Sequence, residues 1–136
     1  MNSETTFAMI KPDAVAAKNT GKIIDLIEKN GFSIIAMEKI QLTDEKAREF
    51  YAVHKDRPFF GELVEFVASG PVVVMALSKE NAVAAWRDLM GATNPAQAAP
   101  GTIRASFGAN IGNNAVHGSD ALETARGELG LFFPKL

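Results

Sequence analysis

Apolar positions in this chain follow two rhythms, and the switches between them mark its elements. Residues 7–10, starting at Phe7, form a compact apolar run closed by Lys11-Pro12-Asp13, the pattern of a short buried strand. From Thr20-Gly21 the period lengthens: Ile23, Ile24 and Ile27 share one face of a helix that Asn30-Gly31 ends. Residues 32–42 return to alternation and predict a second strand. Thr43 is suited to cap the helix that follows. Asp44 and Glu45 in its first turn complement the macrodipole, and the helix is expected to reach about Val53.

A polar break, His54-Lys55-Asp56-Arg57-Pro58, precedes a short helical stretch at residues 59–68 and a turn at Ser69-Gly70-Pro71. Residues 72–77 are apolar throughout and begin with three valines, as a central strand requires. Ser78 is placed to cap a helix that carries Ala82, Ala85, Trp86 and Leu89 before Gly91. Residues 91–113 hold no period and are rich in Gly, Pro, Ala and Asn; an irregular segment of this length is expected to be functional. Residues 115–117 form the last strand, and Ser119 opens the last helix.

This order predicts an α/β sandwich with a ferredoxin-like β-α-β-β-α-β antiparallel sheet, an inserted helical hairpin and a long functional loop. Helices cover one face of such a sheet. A central strand that is apolar on both sides must hide its second face as well, against a loop or another subunit, so a homo-oligomer is expected.

At 136 residues the chain reads as one domain, residues 1–136, large enough to bury a core without disulfides. A net charge of −2 argues against nucleic acid as the main partner, which would need a broad basic face. The chain has no cysteine, no basic-then-apolar leader in residues 1–6 and no apolar run near the roughly 20 residues of a membrane helix. A cytoplasmic protein without a membrane partner is the simplest reading.

The sharpest chemical feature is His117-Gly118-Ser119-Asp120, preceded by Asn114-Ala115-Val116. A strand delivers an imidazole to its end, glycine lets the backbone turn, and Ser119 can cap a helix. Free N–H groups and the positive end of the dipole favour an anion there. The same dipole favours the neutral imidazole, which can act as a nucleophile toward phosphorus. A metal role for His117 is disfavoured, because only His54 and no cysteine accompany it.

Lys11, His54, Arg87, Thr93, Arg104 and Asn114 also fall at element ends, where arginines can hold phosphate bidentately and lysine as a point charge. Lys11 follows the first strand and His117 ends the last, and these strands can approach in a ferredoxin-like sheet. Phe59 and Tyr51 could be core residues, or could present a ring and a hydroxyl to a ligand. Glu128 lies about 13.5 Å from Ser119 along a straight helix, too far for contact unless Gly127 lets the chain fold back. No Walker loop is present: Thr20-Gly21-Lys22 lacks the first glycine, with Ala16 in its place, and Ile23 stands where Ser or Thr is needed.

The run Asn114 to Asp120 closely resembles the active-site signature of the nucleoside diphosphate kinases. Ile10-Lys11-Pro12-Asp13-Ala14-Val15, Phe50-Tyr51-Ala52-Val53-His54-Lys55 and Arg57-Pro58-Phe59-Phe60 extend the resemblance. So do Ser69-Gly70-Pro71-Val72, Gly91-Ala92-Thr93-Asn94-Pro95 and Pro100-Gly101-Thr102-Ile103-Arg104, in the family's order over nearly the whole chain.

The resemblance implies ping-pong transfer of a γ-phosphate through a phosphohistidine at His117. It further implies phosphate contacts from Lys11, Arg87, Thr93, Arg104 and His54, ribose contacts from Asn114 and Lys11, and a base stacked on Phe59. Tyr51 would assist near the transferred group, Glu128 with Ser119 would orient His117, and Mg²⁺ would ride on the nucleotide phosphates. Asn113 replaces an arginine and Ser106 an aspartate of many relatives, departures expected to loosen the long loop. The carboxyl end, Phe133-Pro134-Lys135-Leu136, is shorter than in many members, which leaves tetramer against hexamer open. Two other readings share parts of the pattern. An RNA-binding module would need aromatic strands and a basic balance; a regulatory nucleotide-binding domain would not need a nucleophile at His117.

Overall fold

In a computed structural model of the chain, described over residues 3–136, four strands form one sheet in the order β2-β3-β1-β4, every neighbouring pair antiparallel. They are β1 (Ser3–Ile10), β2 (Ser33–Ile40), β3 (Val72–Glu80) and β4 (Val116–Gly118). This is the ferredoxin-like arrangement expected. Met1 and Asn2, part of the segment inspected for a leader, lie outside the described residues.

The central strands alternate as their pattern demands. Ala8 and Ile10 of β1, with Val73, Met75 and Leu77 of β3, meet α2 (Thr20–Lys29) and α5 (Ala82–Met90) in one core. Phe7 and Met9, with Val72 and Val74, face a second core on the other side. That second face is covered by the chain itself: α3 (Asp44–Phe50), α4 (Phe60–Val67) and α7 (Leu122–Phe132) supply Phe50, Val64, Val67 and Phe132. The need for another subunit inferred from a doubly apolar strand is therefore met by the inserted hairpin and the last helix.

Thr43 caps α3 as expected, its hydroxyl accepting from Lys46 N–H at 3.0 Å. Tyr51 ends that helix early, and a single 3₁₀ turn (Ala52–His54) carries the chain on. Two other expected caps are replaced. Ser78 lies inside β3, paired with Thr5 of β1 and Ser33 of β2, because the three-strand ladder claims its backbone. The first turn of α5 is capped by Glu4, which accepts from Val83 N–H at 3.2 Å. Ser119 does not open the last helix either; α7 starts at Leu122 after an extended Ala121.

Two short helices were not legible: α1 (Pro12–Ala16), begun by a proline at its first position, and α6 (Ile103–Phe107) within the long loop. The loop opens at Gly91, where a φ of 85° and the adjacent Thr102 Oγ1, 2.5 Å from where a Cβ would lie, exclude any side chain.

Candidate active site

Antiparallel pairing sets Met9 of β1 opposite His117 of β4, so Lys11, just past the end of β1, lies beside the approach to β4. Lys11 N–H donates to Ala115 O at 2.8 Å, and Asp13 Oδ2 accepts from Ala115 N–H at 3.0 Å. These bonds hold Ala115 in the left-handed region, at φ 73°, where a non-glycine residue is strained. Asp13 was not singled out in the sequence; its role depends on a contact across 102 residues. The turn aims Asn114 at Lys11, whose ammonium donates to Asn114 Oδ1 at 2.9 Å. Burial, then the Arg104 guanidinium, pull the Lys11 ammonium down to about 8, against a smaller opposing effect of Asp13.

Arg104 comes from α6. Its Nη1 donates to Gly91 O at 3.0 Å and its Nη2 to Val116 O at 2.9 Å, tying the start of the long loop and α6 to β4. Its Nε is buried with no hydrogen-bond partner among the described residues. Burial, then Arg87, lower the Arg104 pKa, but a guanidinium stays charged. Arg87, on α5, lies 3.6 Å from Asp120 in a pair that is more than half exposed and so contributes little. Thr93 O accepts from Asn114 Nδ2 at 3.0 Å. The two departures in the loop, Ser106 and Asn113, are exposed; Asn113 N–H donates to Asn110 Oδ1 at 2.9 Å, so that stretch is closed by its own turn.

His117 meets Glu128 despite the helical spacing that would separate it from Ser119. That distance assumed Ser119 inside the helix; with α7 beginning at Leu122, the intervening turn folds α7 back over β1 and Gly127 stays helical. Nε2 of His117 lies 3.2 Å from Glu128 Oε1, and the Ser119 hydroxyl donates to the same oxygen at 2.6 Å. A carboxylate only accepts, so Nε2 carries a proton, and in the neutral imidazole the lone pair is on Nδ1. Phe50 stands edge-on to the imidazole at 4.9 Å between centroids. Tyr51 is buried beside this group; burial first, then the Glu128 charge, raise its phenol well above the usual range.

These groups open on one cavity of about 880 Å³, of the size that takes a small ligand. Lys11, Tyr51, His54, Arg87, Thr93, Arg104, Asn114 and His117 all line it, with Phe59 half exposed and 5.7 Å from the His54 ring. Ser119 and Glu128 sit behind the imidazole rather than on the wall. Ile111, which sequence reasoning passed over, also lines the cavity and is 60% exposed. An exposed apolar residue in an aperiodic loop was the available signal. Among the described residues no three His, Asp or Glu side chains gather as a metal-ligand set. A wall carrying Lys11, Arg87 and Arg104 suits an anion.

The family model for nucleoside diphosphate kinase matches residues 4–136. The chain belongs to the nucleoside diphosphate kinase family. It is 57% identical over 133 residues to the nucleoside diphosphate kinase of Pelobacter propionicus, with 98% of this chain and 97% of that protein covered. It is 61% identical over 130 residues to that of Campylobacter concisus, covering 96% and 95%. The crystal structure of the Aquifex aeolicus nucleoside diphosphate kinase superposes with a TM-score of 0.95 at 45% identity, over 97% of this chain and 96% of that one. Family membership therefore agrees with a cavity whose wall carries Lys11, Arg87, Arg104 and His117.

Proposed function

We propose that this chain acts as a nucleoside diphosphate kinase through Nδ1 of His117. The observation that carries the reading is the contact of Nε2 with Glu128, which in the neutral imidazole places the proton on Nε2 and the lone pair on Nδ1, in a cavity lined by Lys11, Arg87 and Arg104. In the first half-reaction an Nδ1–P bond forms as the bond from the γ-phosphorus to its bridging oxygen breaks, and the nucleoside diphosphate leaves. In the second, a terminal oxygen of an incoming diphosphate attacks phosphorus as the Nδ1–P bond breaks. The Nε2 proton stays with the imidazole–Glu128 pair throughout, while Ser119 fixes the carboxylate.

Charge spreads over the equatorial oxygens of the transferring group, and Arg104, Arg87, Lys11, Thr93 and His54 surround the place where it develops. Mg²⁺, held mainly by the nucleotide's own phosphates, would neutralise part of that charge. Tyr51 stays protonated and can donate to the transferring group. Asn114 and Lys11, already bonded to each other, would meet the ribose hydroxyls, and the exposed ring of Phe59 would stack on the base without reading its edge. No helix is long and apolar enough to cross a membrane among the described residues, and we place the protein in the cytoplasm as one domain. Ile35 and Met37, half exposed on the edge strand β2, support a homo-oligomer.

Initial rates with donor and acceptor varied together test the reading. Parallel double-reciprocal lines are expected from a phosphoenzyme; intersecting lines would instead require both nucleotides to bind at once.

A further inference from the structure

The backbone of β4 is held by side chains as well as by its pairing with β1. β4 is the outermost strand, only three residues long. Such a strand is poorly fixed by its ladder alone, yet it carries the residue whose placement the chemistry needs. Two of its carbonyls accept from side chains: Val116 O from Arg104, and His117 O from the indole Nε1–H of Trp86 at 3.2 Å.

Trp86 is fully buried and comes from α5, one residue before the cavity-lining Arg87. Its ring is set edge-on to Phe32, with centroids 6.0 Å apart and planes at 86°. It also fills the space a side chain at position 118 would need: a Cβ on Gly118 would run into Cδ1 and Nε1 of Trp86 and lie 2.7 Å from Met90 Cε. The peptide joining His117 to Gly118 is therefore packed and hydrogen-bonded from one face of the sheet. The imidazole is packed from the other, by Phe50 and Phe7.

We propose that Trp86 is a positioning residue for the nucleophile. Its indole N–H and ring edge fix the His117–Gly118 peptide, and through it the line from Glu128 through the imidazole toward phosphorus. Small displacements of a nucleophile lower the rate of in-line transfer while leaving substrate contacts elsewhere intact. Nucleotide binding depends on other residues, so the effect falls on the chemical step. The inference rests on His117 being the phosphorylated residue.

The chain has a single tryptophan, so replacing tryptophan biosynthetically with its benzothienyl analogue changes position 86 alone, exchanging the ring N–H for sulfur at nearly constant shape. Phosphorylation of the enzyme by excess ATP, without acceptor, is then followed by rapid quench beside wild type, with apparent ATP affinity and thermal unfolding measured on both. Loss of the N–H bond should slow phosphoryl transfer about fivefold, with ATP affinity unchanged within about twofold. Trp86→Phe, which also lacks the donor, should show the same split and keeps the question answerable if the analogue protein folds poorly. A transfer rate equal to wild type in both, even with a lowered melting temperature, would reduce Trp86 to a packing residue and overturn the inference. A wild-type enzyme that takes no label on His117 would overturn the phosphohistidine itself, an outcome distinct from a labelled wild type with an equally fast variant.

Discussion

His117 and Glu128 stand eleven residues apart in the chain and 3.2 Å apart in space, joined through Nε2 and Oε1. This bond decides which imidazole nitrogen is free. Glu128→Gln puts an amide there that can donate as well as accept, so the tautomer with a bare Nδ1 is no longer enforced. The expected result is a kcat lower by roughly tenfold to a hundredfold with little change in KM for either nucleotide. Ser119→Ala, which removes the second donor to Oε1, should give a smaller loss of the same kind. Steady-state kinetics on both variants check the order.

Lys11 gives a pH dependence with a definite sign. Its ammonium is pulled down to about 8 in the free protein, and a bound phosphate would raise it again. Nucleotide affinity should therefore fall as pH rises through about 8, and binding near pH 8–9 should take up protons. Calorimetry in buffers of different ionisation enthalpy measures that uptake. Stability of the ligand-free protein moves the other way. Between about 8 and the ordinary lysine value the unfolded chain binds more protons than the folded one, so this residue's contribution to stability rises with pH. Lys11→Met should abolish both trends, read by calorimetry and by thermal melts across pH 7–10.

Phe59→Ala should raise KM for purine and pyrimidine nucleotides alike, by about tenfold, because a half-exposed ring offers a face and no edge partners. Competition assays with four different diphosphates test this. A loss confined to one base would point to edge recognition instead.

Gly118→Ala should destabilise the fold by about 1–3 kcal/mol, since the new methyl runs into the ring of buried Trp86 and into Met90 Cε. Denaturant unfolding gives the value. Gly21→Ala, where a Cβ meets nothing within 4 Å, is the control expected to change little.

Much of the architecture was legible because its signals are local. The valine run at 72–74, the isoleucine stripe of α2 and the Thr43 cap each determine an element from neighbouring residues, and the β1–β4 pairing that joins Lys11 to His117 follows from the topology. The misreadings share one cause. Ser78 and Ser119 both look like helix caps in isolation, but one is claimed by a three-strand ladder and the other by a partly buried carboxylate nine residues away. Asp13, Trp86 and Phe50 were missed as site residues for the same reason: each acts on β4 or on the imidazole across the fold, through contacts no short window contains. The second helical layer was also underestimated, because an apolar strand face does not say which part of the chain will cover it.

The central claim is tested most directly by mixing the protein with γ-labelled ATP and no acceptor. One acid-labile, base-stable label per chain is expected, located on His117, discharged to GTP by added GDP and absent from His117→Gln. Nucleotide binding without any label on wild type, or undiminished labelling of His117→Gln, would contradict the account.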